Sequence, residues 1–287
     1  MANFPDLRTP LRRAANDGID YLIVNFGDGF EAFANALLQF LLLFERLLRG
    51  TPPWAVLLAT GLLAFTASRR LGFAAAAVFG MWVVGGLGQW DQAMQTLALV
   101  LVSVLVSVAV GLPLGVWCAR SRRVRGVVSP LLDLMQTIPS FVYLIPAAML
   151  FGLGKVPALL ATVVYATPPL IRLTELGIRE VSREAIEAAR AFGATRWQLL
   201  RGVQIPMSLP AIMQGVNQTT MMALAMVVIA SMIGARGVGE TVLIGLQRND
   251  AGEGLVGGLV IVILAIVLDR IMQAGGRRLQ AHRKAGG

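Results

Sequence analysis

The sequence predicts an all-α membrane protein, and three observations carry that expectation. Hydrophobic residues fill 56% of the 287 positions and charged residues only 14%, with a mean hydropathy of +0.70; a soluble domain averages roughly 25% charged residues. Mostly apolar stretches, approaching the ~20 residues that cross a bilayer, recur near 53–68, 71–88, 94–118, 130–153, 156–176, 211–234 and 254–273. Between them the arginines gather in short clusters, the pattern that fixes orientation in a membrane.

The elements follow in chain order. The opening MANFPDLRTPLRRAANDG lacks the apolar core of a signal peptide, so insertion is expected to use the first apolar helices. Within the N-terminal segment 1–50, residues 29–50 place Phe30, Phe33, Leu37, Leu38, Leu41, Leu42 and Leu48 at helical spacing, interrupted by Glu31, Gln39, Glu45 and Arg46. That pattern suits an amphipathic helix lying on the membrane surface. If it spans instead, there are eight crossings, and Arg12 and Arg13 favour an N-terminus inside. A membrane domain over 51–275 follows. Arg69 and Arg70, Arg120 to Arg125, the arginines of 178–210, and the basic tail 276–287 share one side if seven spans are counted. The positive-inside rule makes that side, and the C-terminus, cytoplasmic.

The net charge of +9 does not point to nucleic acid, because the arginines sit in inter-span clusters rather than along one binding face. A single cysteine, Cys118, excludes an intramolecular disulfide and a cysteine-based metal site; it reads as a small buried side chain. The sole histidine, His282, lies in the basic tail and reads as solvated. No metal site and no catalytic constellation is expected. Gly111, Pro113, Gly115, Pro139, Pro146, Pro168 and Pro169 punctuate the spans. Gly111-x-x-x-Gly115 reads as a close helix contact or as a local packing adjustment.

The most informative stretch is polar. Residues 187–206 read EAARAFGATRWQLLRGVQIP. Ser182 is placed to cap a short helix running to about Phe192, and Gly193 to make a left-handed turn. Thr195 to Gln198 has the form of a capping box that opens a second helix. Pro206 is expected to limit that helix. Two short helices joined by glycine make a rigid knuckle, with Ala188, Ala189 and Ala194 keeping its surface small and Glu184, Glu187, Arg190 and Arg196 supplying charge.

Glu187-Ala188-Ala189, then Gly193, then Val203-x-Ile205-Pro206 resembles the EAA motif of ABC-importer permeases. Val203 and Ile205 stand where that family has its two aliphatics. The resemblance extends over nearly the whole chain after residue 50. Segments such as Leu131–Pro139 (LLDLMQTIP), 141–144 (FVYL), 215–219 (GVNQT) and 227–233 (VVIASMI) look like the glycine betaine/proline permeases. The resemblance implies a type I ABC importer transmembrane domain of about seven helices in a bacterial inner membrane, with the loop 178–210 docking on an ATPase. It also implies a homodimer with a second permease copy, two ABC ATPase subunits and an extracytoplasmic substrate-binding protein. No cofactor is expected in this chain, because ATP and Mg belong to the partner ATPase. The nearest phosphate-loop look-alike, Gly152 to Val156, lacks the Ser or Thr after lysine. Choline or amino-acid import remains an alternative in the same fold. A secondary transporter is disfavoured, because neither inverted repeats nor a buried ion-binding acid is visible.

Polar residues within spans usually face a bundle interior or a wet path. Gln136, Thr137, Ser140 and Tyr143 form one candidate group, with Phe141 and Tyr143 offering aromatic faces to a quaternary ammonium. Asn217, Gln218, Thr219, Thr220 and, further along, Ser231 form another. Interhelical hydrogen bonding is the competing role for both. Asp269 is expected to pair with Arg270 or Arg277, and Asp133 with the Arg120–Arg125 cluster.

Overall fold

A computed structural model describes residues 7–284, with side chains for 7–276; the side chains of His282 and the rest of the basic tail lie outside the described residues. Twelve α-helices follow one another with no strand among the described residues. They are α1 (Arg8–Gly50), α2 (Pro53–Ser68), α3 (Leu71–Gly86), α4 (Trp90–Arg120), α5 (Arg122–Thr137), α6 (Leu144–Phe151), α7 (Lys155–Arg179), α8 (Arg183–Ala191), α9 (Arg196–Leu199), α10 (Ile205–Ser231), α11 (Val238–Arg248) and α12 (Ala251–Lys284).

All seven apolar stretches are helical, but they are not seven equal spans. Four helical stretches are long and apolar enough to cross: Trp90–Arg120, Lys155–Arg179, Arg196–Ser231 and Ala251–Gly276. The count reaches six if two bent pairs each make one span: α1 with α2, at 103°, and α5 with the segment Ser140–Phe151, at 109°. The stretch 130–153 is therefore a broken helix. Pro139 is the reason, because it drives Ile138 out of helical geometry, and Ile138 has ψ 128°.

The helix expected over 29–50 is present as part of the longer α1. It runs for 43 residues. Leu37, Leu41, Phe44 and Leu48 pack on a cluster of Ala98, Leu99 and Val102 of α4 with Leu159 and Val163 of α7. The apolar stripe is thus taken up by the protein. Glu45, whose side chain is nearly buried, accepts a hydrogen bond from Lys155 Nζ at 2.6 Å and pairs with Arg49 at 3.3 Å; Arg49 in turn reaches Asp91 at 2.5 Å. Of the residues that interrupt the stripe, Glu45 ties α1 to Lys155 of α7, and its neighbour Arg49 ties α1 to Asp91 of α4.

The core is organised around α7, which lies between α4 and α10. In a membrane, helices associate through close packing and hydrogen bonds rather than the hydrophobic effect, and small residues supply the approach. A Cβ on Gly115 of α4 would sit 2.7 Å from Thr174 Cβ and 2.9 Å from the Ile171 carbonyl oxygen of α7. The Gly111–Gly115 pair is therefore a helix contact. Gly177 of α7 does the same against α10, where an added Cβ would meet Ala211 Cβ at 2.6 Å. Met94, Ala166, Leu224 and Leu264 bring α4, α7, α10 and α12 into one buried cluster.

Candidate functional site

The hairpin after α7 is built as its residues suggest. Ser182 Oγ accepts the Ala185 N–H at 3.3 Å and caps α8. The end of α8 is a Schellman motif: the Gly193 N–H donates to the Arg190 carbonyl at 2.9 Å, and the Ala194 N–H to the Ala189 carbonyl at 3.0 Å. Gly193 has φ +79°, a conformation that costs a side-chain-bearing residue strain. Thr195 and Gln198 close the capping box, with the Thr195 N–H on Gln198 Oε1 at 2.9 Å and the Gln198 N–H on Thr195 Oγ at 3.3 Å. Two turns of defined geometry therefore fix the angle between α8 and α9 without any partner.

Pro206 does not end the second helix. The chain stays helical from Arg196 to Ser231, passing through a π-turn at Leu200–Gln204 in which the Ile205 N–H reaches the Leu200 carbonyl. A proline in a regular helix clashes with the carbonyl four residues back; the wider turn takes up that misfit. The hairpin is thus continuous with α10. Leu199 and Leu200 are buried and root it in the fold.

Its outer surface is exposed at Glu184, Glu187, Ala188 and Arg190, and half-exposed at Ala189. Ile205 and Pro206 are half-buried and belong to the joint with α10 rather than to that surface. Two aromatic residues passed over in the sequence reading stand out. Phe192 is 93% exposed, and Trp197 is 53% exposed with the Arg201 guanidinium 4.3 Å from its ring centroid. An aromatic side chain in a polar loop was the available signal, since aromatics anchor interfaces.

The two polar groups inside the bundle part company. Around the break between α5 and α6, Gln136, Thr137 and Phe141 are exposed, while Ser140 and Tyr143 are half-buried. Thr137 Oγ donates to the Leu134 carbonyl at 2.9 Å, and the Tyr143 hydroxyl donates to the Met135 carbonyl, tying the two sides of the break together. On α10, Asn217, Thr219 and Ser231 are buried and Gln218 is exposed. Thr219 Oγ donates to the Ala166 carbonyl of α7 at 2.9 Å, and Ser231 Oγ to the Val228 carbonyl at 2.5 Å. Asn217 Nδ2 donates to Asp269 Oδ1 at 2.8 Å. Asn217 Oδ1 has no partner, and Asn217 borders a cavity of about 310 Å³ with Gln214 and Gln273.

The acids find partners other than those expected. Asp269 is held by Asn217 and by Gln273 Nε2, at 2.8 Å each, and not by Arg270; the side chain of Arg277 lies outside the described residues. Asp133 pairs with Arg172 of α7 rather than with the Arg120–Arg125 cluster. In both cases a facing helix supplies a polar group at the same depth, which sequence distance does not reveal.

Comparison with known proteins places these features together. Residues 111–281 match the family model of the binding-protein-dependent transport system inner membrane component. The chain is 48% identical over 268 residues to the glycine betaine/proline betaine transport system permease protein of Escherichia coli, covering 93% of this chain and 75% of that protein. It is 43% identical over 285 residues to the glycine betaine/carnitine transport permease protein of Listeria monocytogenes, covering 98% and 100%. Among solved structures it is similar to an inward-facing methionine ABC transporter, with 28% identity and a TM-score of 0.58 over 67% of this chain and 95% of that one.

Proposed function

Since this chain belongs to the binding-protein-dependent transport system inner membrane component family, we propose that it forms the translocation pathway for glycine betaine-type compatible solutes. It is a multi-pass inner-membrane permease subunit, not an enzyme. Our reading adds a second copy of the chain, two ATPase subunits that bind ATP and Mg, and an extracytoplasmic binding protein. The hairpin side and the C-terminus face the cytoplasm. The N-terminal segment 1–50, with its helix, is a unit added to the membrane domain 51–275, and 276–287 is its basic tail.

One observation carries the mechanism: the α8–α9 hairpin is rigid, exposed at its tip and continuous with α10. Glu187, Ala188, Ala189 and Gly193 form the docking knuckle, with Phe192 and Trp197 as its aromatic anchors. Ile205 and Pro206 pass a push on the knuckle directly into α10, which packs along α7. A rigid lever needs no change in its own shape to move the bundle. For the solute path, Gln136 and Phe141 at the break between α5 and α6 offer an exposed polar and an exposed aromatic group, beside half-buried Ser140 and with exposed Gln218 on α10. Phe141 suits a quaternary ammonium through its ring face. Thr137 and Tyr143 shape the break. Asn217 and Thr219 hold helices together, Ser231 bonds a carbonyl of α10 itself, and only Asn217 keeps an atom toward a cavity.

The test is Gly193→Val in proteoliposomes with the partner ATPase and binding protein. Nothing lies within 4 Å of an added Cβ there, so the substitution acts through φ alone. Strain of about 1–3 kcal/mol distorts the turn. Uptake is expected to fall roughly tenfold or more while the unfolding temperature of the chain hardly moves; unchanged uptake sinks the coupling role.

A further inference from the structure

The α4–α5 corner meets the end of α7 in a cavity of about 390 Å³ lined by Cys118, Ala119, Arg120, Arg122, Arg125 and Arg179. Four of six lining residues are arginines. A single acid answers them: Glu175, whose side chain is 12% exposed, pairs with Arg179 at 3.0 Å and with Arg125 at 3.7 Å. Arg120 and Arg122 make no ion pair among the described residues. Glu175 fixes two guanidinium groups at the wall and leaves two others uncompensated.

Helix electrostatics sharpens the point. Arg120 and Arg179 end α4 and α7, where a cation offsets the negative end of a helix. Arg122 begins α5, and Arg123 and Arg125 follow in its first turn with no acid there. Cations at that end oppose the helix dipole, so the local preference is broken. Ser121 Oγ takes the Val124 N–H and leaves the first N–H groups of α5 without a side-chain acceptor. A bound oxyanion resolves all of this at once, because the positive helix end, the free N–H groups and the forked guanidinium donors all favour it. The setting is that of a headgroup layer. Trp117, 60% exposed, lies one turn before Arg120, and Val127, Leu131 and Leu134 expose an apolar edge along α5.

We infer that this cavity is a binding site for a phosphate-bearing anion, held by Arg120 and Arg122 against a wall of Arg125 and Arg179. The phosphate comes either from the headgroup of an anionic phospholipid or from free inorganic phosphate. The site is independent of the transport reading, because its occupancy is measured on the chain itself.

The purified full chain is equilibrated in neutral detergent with equimolar phosphatidylglycerol and phosphatidylcholine, and retained lipids are counted by native mass spectrometry. Inorganic phosphate binding is measured separately by calorimetry. Wild type should retain phosphatidylglycerol selectively, or bind phosphate, and the double variant R120Q/R122Q should weaken that binding about tenfold or more, as two lost interfacial charges predict. R123Q removes the same charge from the same turn but outside the lining, and should weaken binding clearly less than R122Q does. Displacement of lipid by phosphate identifies a site open to the free ion; retention despite phosphate identifies the headgroup. Equal binding by wild type and R120Q/R122Q overturns the site, as does an equal loss in R123Q, which would mean a diffuse basic surface. If the double variant unfolds, R122Q alone carries the test, since that residue opposes its own helix dipole.

Discussion

Two sets of polar residues lie in the membrane domain, and the fold treats them in opposite ways. On α10, Thr219 and Ser231 are buried with their hydroxyls on carbonyls, and Asn217 reaches across to Asp269 of α12. At the break between α5 and α6, Gln136 and Phe141 remain exposed. A polar group inside a bilayer is costly unless satisfied, and a regular helix satisfies only its own backbone. Asn217 and Thr219 are therefore spent on a carboxylate of α12 and a carbonyl of α7, where helices touch, and Ser231 on a carbonyl of α10 itself. The Pro139 break leaves Gln136 and Phe141 uncovered among the described residues, which is why we propose them, and not the α10 set, for the solute path. Polarity within a span marks a path only where the partners are missing.

The largest effect that tests this contrast is at Asn217. Asn217→Leu removes a donor to a carboxylate at 2.8 Å. Hydrogen bonds to charged groups are worth about 1.5–3 kcal/mol, so a clear drop in unfolding temperature in detergent is expected, with uptake per folded molecule preserved. Preserved stability with lost uptake would move Asn217, through its unpartnered Oδ1, into the path.

Phe141→Ala should do the reverse. The ring is 55% exposed, so stability should change by less than about 0.5 kcal/mol. Loss of a ring face for a quaternary ammonium is worth about 0.5–2 kcal/mol, and the uptake KM in proteoliposomes should rise about two- to thirtyfold. A KM shift confined to Asn217 would invert the comparison. Gln136→Leu should follow Phe141 with a smaller shift of KM.

What the sequence disclosed and what it hid divide along the same line. Local grammar was readable. Ser182, Gly193, Thr195 and Gln198 specify their caps and turn through neighbours within five residues, and the structure has each of them. The Gly111–Gly115 spacing left a helix contact and a local packing adjustment both open, and the structure has the contact. Long-range pairing was not readable. Nothing in the chain says that Glu45 meets Lys155, 110 residues away, or that Asp133 meets Arg172. Such pairs depend on helix depth and rotation, which hydropathy leaves free. For the same reason the stripe of α1 read as lipid-facing, although Leu41 is 2% exposed. Pro206 misled differently. The rule that proline ends a helix assumes regular i to i−4 bonding, and the π-turn at Leu200–Gln204 changes the bonding instead.

The smallest effects decide whether the α10 set is structural throughout. Thr219→Val keeps the shape of the side chain and removes its bond to the Ala166 carbonyl of α7, an interaction worth about 0.6 kcal/mol by the average for interhelical bonds in membranes. Ser231→Ala removes a bond within α10 itself, which joins no second helix, so its cost should be smaller still. If the bonds do nothing but join or decorate helices, the two variants should rank in that order by unfolding temperature, and both should transport with wild-type KM. A rank reversed by uptake, with Ser231→Ala the more damaging, would place Ser231 on the solute's route despite its burial. It would also show that a satisfied hydroxyl in this bundle can exchange its carbonyl for a passing ligand.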